Sequence, residues 1–235
     1  MKQKESFQDR IIREHVNGLS FVDFGGLWGT LNEKVSVASL AGAGSTAMAD
    51  MQPLGNWLWQ DFHKRCLELG VSGYAQYCVN LDDPALRLKI GSYDFVHSSG
   101  IIYHAPSPLF SISQLRTITN RYLLIGSMVV PEHVKNSAGS LDFDGGTMLF
   151  LPAIDAARRE IMAQYFNASG IKVAPVNGDQ NHPFWLKGAP NYSPWWWLFS
   201  ATTLRAMTEV SGFKVLAQGS YWDDRVSYCF CEIAN

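Results

Sequence analysis

The stretch running from residue 213 to the end constrains the fold most. "FKVLAQGSY" (213–221) and "RVSYCFCEIA" (225–234) both read as strands, with only "WDD" between them. A parallel connection needs about a dozen residues or more, so these two strands pair as an antiparallel hairpin. Ahead of them "SATTLRAMTEVSG" (200–212) reads as a helix: Ser200 is an N-cap candidate, Leu204, Met207 and Val210 stand at helical spacing, and Gly212 is the stop.

Upstream the rhythm differs. "LSFVDF" (19–24), "STAMADM" (45–51), "YAQYCVN" (74–80), "YDFVHSS" (93–99) and "RYLLIGSMVV" (121–130) are short β-rich runs separated by helical stretches, the pattern of parallel βαβ units. Residues 4–16 carry Phe7, Ile11, Ile12 and His15 on one stripe, which predicts an amphipathic helix before the first strand. The expected fold is therefore α/β: a Rossmann-like, mostly parallel sheet of seven strands, five parallel ones closed by a reversed C-terminal hairpin, with helices on both faces.

The 235 residues suit one large α/β domain, 1–235. The segment 132–195 breaks the alternation. It holds the turn "DFDGGT", a helix over "AIDAARREIMAQYF" with Ile154, Ala157, Ile161 and Tyr165 on one side, and a polar loop ending in "PWWW". It reads as an insertion that lids or shapes a pocket.

Charge narrows the partners. With 17% charged residues and a formal net charge of −2, the chain shows no footprint for a polyanion, so nucleic acid is a poor partner. No apolar run reaches the roughly 18 residues that span a bilayer, and the opening "MKQKESFQDRIIREH" is charged where a signal peptide would be apolar. The expectation is a cytoplasmic protein without membrane contact; a homo-oligomer is compatible with the sequence. Cys229 and Cys231 fall on one strand face, while Cys66 and Cys78 lack metal-ligand spacing, so all four read as small apolar fillers. Asp142 and Asp144 have the opening spacing of a calcium loop but not its later ligands, and no metal is expected.

"FVDFGGLWGT" (21–30) carries the chemistry. Gly25, Gly26 and Gly29 form a glycine turn after a strand, the place where dinucleotide folds hold a pyrophosphate on backbone amides and a helix N-terminus. Asp23 argues against that anion, because a carboxylate near a pyrophosphate sets like charges together in a partly buried site. A cationic ligand gains from the same carboxylate. About 20 residues beyond Gly29, Asp50 ends the second strand at the spacing of a ribose-reading acid, with Met51 beside it.

These residues and the order of elements resemble the class I S-adenosylmethionine-dependent methyltransferases, whose seven-stranded sheet ends in a reversed hairpin. The resemblance covers nearly the whole chain outside 132–195. In the family's first motif Asp23, Gly25 and Gly29 match, Leu27 replaces the middle glycine, and Gly26 turns one residue earlier. The resemblance implies that Asp23 and the glycines hold the methionine part of the ligand, whose ammonium and sulfonium face the acid. It implies that Asp50 takes the ribose hydroxyls and that Met51 lies on the adenine. In "VNLDDP" either Asn80 or Asp82 would read the adenine amino group, with Leu81 donating from its backbone. "YDFVHSSGIIYHAPSP" is similar to the family's segment after the fourth strand, placing Asp94, Ser98, Ser99, Tyr103 and His104, with Ser98 beneath the sulfonium. "NYSPWWWLFSATTLRAMTEVSGF" is similar to the segment before the sixth strand.

What this implies is methyl transfer from S-adenosylmethionine to an oxygen or nitrogen of a small-molecule acceptor, a carbohydrate or a natural product, leaving S-adenosylhomocysteine. His104 is the candidate general base, since an imidazole is suited to take a proton at neutral pH. Two rival readings stand beside it. An NAD-dependent oxidoreductase also uses glycines followed by an acid, although the hairpin and Asp23 count against it. An inactive scaffold on the same fold is left open by Leu27.

Overall fold

Alternation along the strands sorts side chains onto two sheet faces. The computed structural model describes residues 5–28, 33–178 and 195–234. The parallel set is β1 (Ser20–Phe24), β2 (Ser45–Asp50), β3 (Ala75–Cys78), β4 (Tyr93–Ser99) and β5 (Thr119–Met128). Val22, Val96, Leu123, Ile125, Cys229 and Cys231 pack on one face. Their neighbours Phe21, Phe95, Leu124, Tyr228 and Phe230 pack on the other, as a period of two requires.

Helices cover both faces. α1 (Phe7–His15) and α2 (Val35–Leu40) lie on the second face, where Ile11, Ile12 and Ala38 meet Phe21 and Phe95. α3 (Trp57–Glu68) buries Leu58, Trp59 and Phe62 against Met48 and Leu27. Each such side chain contributes roughly 1.5–3 kcal/mol by leaving water. α4 (Leu86–Ile90) and α5 (Pro108–Ile118) cover the first face.

Between β5 and the last helix lie the hairpin β6 (His133–Asn136) and β7 (Gly139–Asp142), then β8 (Met148–Phe150), α6 (Ala156–Ala168), α7 (Ala174–Asn177) and β9 (Trp197–Phe199). They share an apolar cluster around Phe143, Ile161, Met162, Phe166 and Leu198. β8 pairs antiparallel with β9 across the insertion, a strand the aromatic run had not suggested. Asp142, half of the calcium-like pair, bonds His133 instead. α8 (Ala201–Val210) follows, its first turn capped by Ser200 accepting from the Thr203 amide, and returns Leu204 and Met207 to the core while Val210 stays exposed.

The end of the chain refines the expectation. β10 (Phe213–Tyr221) and β11 (Val226–Ile233) form the hairpin, and the sheet order is β10-β11-β5-β4-β1-β2-β3. β11 is antiparallel to both neighbours, so β10 runs with the parallel set and only one strand is reversed. Trp222, Asp223 and Asp224 turn the corner with positive φ. Of the four cysteines three are buried fillers; Cys78 is exposed, because β3 is an edge strand whose residues stay partly in water.

Candidate functional site

Sheet order reverses direction between β1 and β4, and in open α/β sheets ligands bind in the crevice outside the strand ends at that point. A cavity of about 400 Å³ opens there, within the usual range for a ligand pocket. Phe24, Gly25 and Trp28 line it from the end of β1, Asp50 and Met51 from β2, Leu81 from the turn after β3, and Ser99, Gly100, Ile101, Tyr103 and His104 from beyond β4.

Asp50 is its one acid among the described lining residues. Its Oδ1 accepts from the Gln52 amide at 2.9 Å, and the Leu27 and Met51 amides also point at the carboxylate. Burial raises its pKa from 3.8 to about 6; those amides pull it down, and the charge of Asp23 adds to the rise. The geometry thus keeps a carboxylate at the cavity wall at a cost, fixed in orientation by the backbone of the glycine turn.

Asp23 sits elsewhere than the sequence suggested. It is fully buried beneath the turn and does not line the cavity. One oxygen bonds the His97 ring at 2.7 Å and the other accepts from the Lys34 amide at 2.8 Å. Its effect on the cavity is therefore a field, felt at Asp50, rather than a contact. The turn closes over it: a Cβ at Gly26 would stand 2.1 Å from Asp23 Oδ2, so only glycine fits. Gly25 has φ +83°, the left-handed conformation that suits glycine, and does line the cavity. Leu27, where the resembling family has a glycine, turns away into the cluster of Met48, Trp59 and Phe62, so its side chain takes no room from a ligand. Gly29 lies outside the described residues.

On the opposite wall the expected adenine readers are occupied locally. Asn80 Oδ1 accepts from the Asp82 amide at 2.9 Å, and Asp82 accepts from the Ser111 hydroxyl; of the three, Leu81 lines the cavity. Ser98 is buried in the sheet and its neighbour Ser99 takes the cavity position, the consequence of strand alternation. Ser99 bonds Tyr228. Asp94 lies at the far end of β4, where it accepts from the Ser20 amide and hydroxyl.

Tyr103 and His104 do reach the cavity. Their rings are 4.1 Å apart, and Trp195 lies 4.3 Å from Tyr103 and 5.8 Å from His104. The Trp196 amide donates to the Tyr103 carbonyl at 3.0 Å, so the chain just beyond the insertion is bonded to the cavity wall. Burial pushes the Tyr103 phenol up to about 12, keeping it a neutral donor. The tryptophans diverge: Trp197 donates its ring N–H to the Pro106 carbonyl and packs on Phe150. Sequence reasoning passed over Trp28, which stands half in water edge-on to Trp57 at 6.0 Å, and His97, within a stretch already read as a strand.

No family model and no curated protein matches the chain. Solved structures do. A possible exported protein from Bordetella parapertussis superposes with a TM-score of 0.61 at 14% identity over 97% of this chain. This chain spans 66% of that protein's length. Magnesium protoporphyrin IX methyltransferase from Synechocystis, crystallised with S-adenosylhomocysteine, gives 0.56 at 13% identity, covering 100% of this chain and 90% of its own. The 1,6-didemethyltoxoflavin-N1-methyltransferase of Burkholderia thailandensis, with its substrate and S-adenosylhomocysteine, gives 0.54 at 8% identity, covering 97% and 76%. At such identities the likeness is one of architecture: this chain has the class I methyltransferase fold.

Proposed function

We propose that the protein is an S-adenosylmethionine-dependent methyltransferase acting on an oxygen or nitrogen of a small-molecule acceptor. The observation that carries this reading is Asp50, a carboxylate held by three backbone amides at the wall of the switch-point cavity. Two acids, Asp50 in the wall and Asp23 beneath the turn, make a negative surrounding, and no lysine or arginine is among the described lining residues. A diphosphate is disfavoured there and a cationic nucleoside is favoured, which places the NAD-dependent oxidoreductase second.

The residues present fit the cofactor: Asp50 accepts the ribose hydroxyls, Met51 and Leu81 pack against the adenine, and Gly25 lets the methionine part approach the backbone. When bound, the cofactor would supply an electrophilic methyl carbon on a sulfonium: the acceptor's lone pair would form the new bond to that carbon as the carbon–sulfur bond breaks, its electron pair leaving with S-adenosylhomocysteine. The chain's part is to align that acceptor and exclude water, while His104 takes the proton the acceptor releases. Trp28 and Tyr103, the latter packed against Trp195, offer the cavity flat apolar surface, so we favour an aromatic natural product over a carbohydrate as acceptor. The insertion 132–195 selects it.

Calorimetry with S-adenosylhomocysteine and NADH tests the reading: heat from the first alone is expected, and heat from neither returns the protein to a scaffold. His104→Ala should lower turnover by about 10²-fold or more with S-adenosylhomocysteine affinity little changed; unaltered turnover removes the base. Because hydroxyl donors need the ionised carboxylate, cofactor affinity should rise about tenfold from pH 5 to pH 7 and level off above. A flat profile by calorimetry would take Asp50 out of the site.

A further inference from the structure

α1 stands outside the cavity, yet two of its side chains converge on the acid under the glycine turn. Gln8 Nε2 lies 3.1 Å from His97 Nε2, and His97 Nδ1 lies 2.7 Å from Asp23 Oδ1. Asp9, next along the helix, takes the Lys34 ammonium at 2.8 Å, and the Lys34 backbone amide donates to Asp23 Oδ2. Gln8, Asp23, Lys34 and His97 are all buried. Each oxygen of Asp23 is thus held by a chain of bonds ending on one turn of α1.

The hydrogen bonds set the roles. A carboxylate only accepts, so Nδ1 of His97 carries its proton toward Asp23, and Nε2 is left to accept from the Gln8 amide. Asp23 in turn fills the space beneath Gly26. A shift of this carboxylate would move the turn that carries Gly25 into the cavity and the Leu27 amide onto Asp50.

We infer that α1 supports the ligand site from outside it: His97 and Gln8 are positioning residues which, with Asp9 and Lys34, bracket Asp23 and hold the glycine turn in its binding conformation before ligand arrives. The bracket on Asp23 does not rest on the cofactor reading above; that the turn it holds is a binding conformation does. Nothing in the sequence singled out Gln8 or His97, and neither touches the cavity.

Two variants, Gln8→Leu and Asp9→Ala, each remove one arm at the helix and leave the strands untouched. Hydrogen exchange without ligand should show the Gly25, Leu27 and Lys34 amides exchanging about tenfold faster, with α5 amides unchanged. Exchange that stays the same, or that quickens equally in α5, overturns the bracket. With ligand, S-adenosylhomocysteine affinity should fall by about tenfold, and KM for S-adenosylmethionine should rise more than kcat falls; full affinity despite a loosened turn overturns the positioning role. If the unaltered protein binds no S-adenosylhomocysteine, the cofactor reading fails while faster turn exchange still supports the bracket. The ¹⁵N shifts of His97 supply a further check: a proton on Nδ1 supports the arrangement, and one on Nε2 alone overturns it.

Discussion

Asp50→Asn is expected to make the unliganded protein more stable and the liganded one weaker. The carboxyl has its folded pKa at about 6 against an ordinary 3.8. Between those values the folded chain keeps a proton that the unfolded chain has lost, so stability falls as pH rises through the window and the penalty is complete above pH 6. It amounts to about 3 kcal/mol at most, at 1.36 kcal/mol per unit. Asparagine carries no charge to desolvate, but its NH₂ group meets the backbone amides badly, which leaves a gain of about 1–2 kcal/mol at pH 7.5. At pH 4, where aspartate is itself protonated, the gain should vanish. Cofactor affinity should drop by about 1–3 kcal/mol, roughly 5- to 150-fold, because in the proposed site the ribose hydroxyls would lose an ionised acceptor. Denaturant titration at both pH values and calorimetry with S-adenosylhomocysteine read the two effects; a variant less stable at pH 7.5 with undiminished binding contradicts the assignment.

Gly26→Ala should be severely damaging. The added carbon meets Asp23 Oδ2 at 2.1 Å and Met48 Cε at 2.9 Å. Met48 can swing aside, being the far end of an adaptable side chain. Asp23 cannot, since both oxygens are bonded in a fully buried place. Either the turn lifts or the carboxylate breaks with His97 and the Lys34 amide, and each hydrogen bond to a buried charge is worth about 1.5–3 kcal/mol. Loss of at least about 3 kcal/mol by denaturation is expected, together with loss of cofactor binding. Gly55→Ala provides the comparison, since its Cβ meets nothing within 4 Å and only its φ of +85° is strained. If the two variants unfold alike, crowding under the turn is not what Gly26 prevents.

Much of the architecture was legible because it is written in local patterns. The period-two runs gave the strands, and the short spacing between the last two gave the hairpin. Asp50 was legible for the same reason, standing at a strand end a fixed distance beyond the glycines. What escaped depends on pairings far apart in sequence. His97 meets Asp23 across 74 positions and Gln8 across 89, and no local rule announces either. Ser98 and Ser99 show a second limit, for a strand end does not reveal which of two adjacent side chains faces the ligand. Asn80 and Asp82 show a third: short polar side chains after a strand also serve their own turn, and here they do.

The placement of β11 also bears on how the chain acquires its shape during synthesis. This strand lies in the interior of the sheet, bonded to β5 and β10 on its two sides, although it is the last of the seven to leave the ribosome. Until then β5 presents a long bare edge of apolar residues, an invitation to pair with a neighbouring nascent chain. A chain ending at residue 224, which lacks β11, should therefore aggregate at concentrations where the full chain stays dispersed.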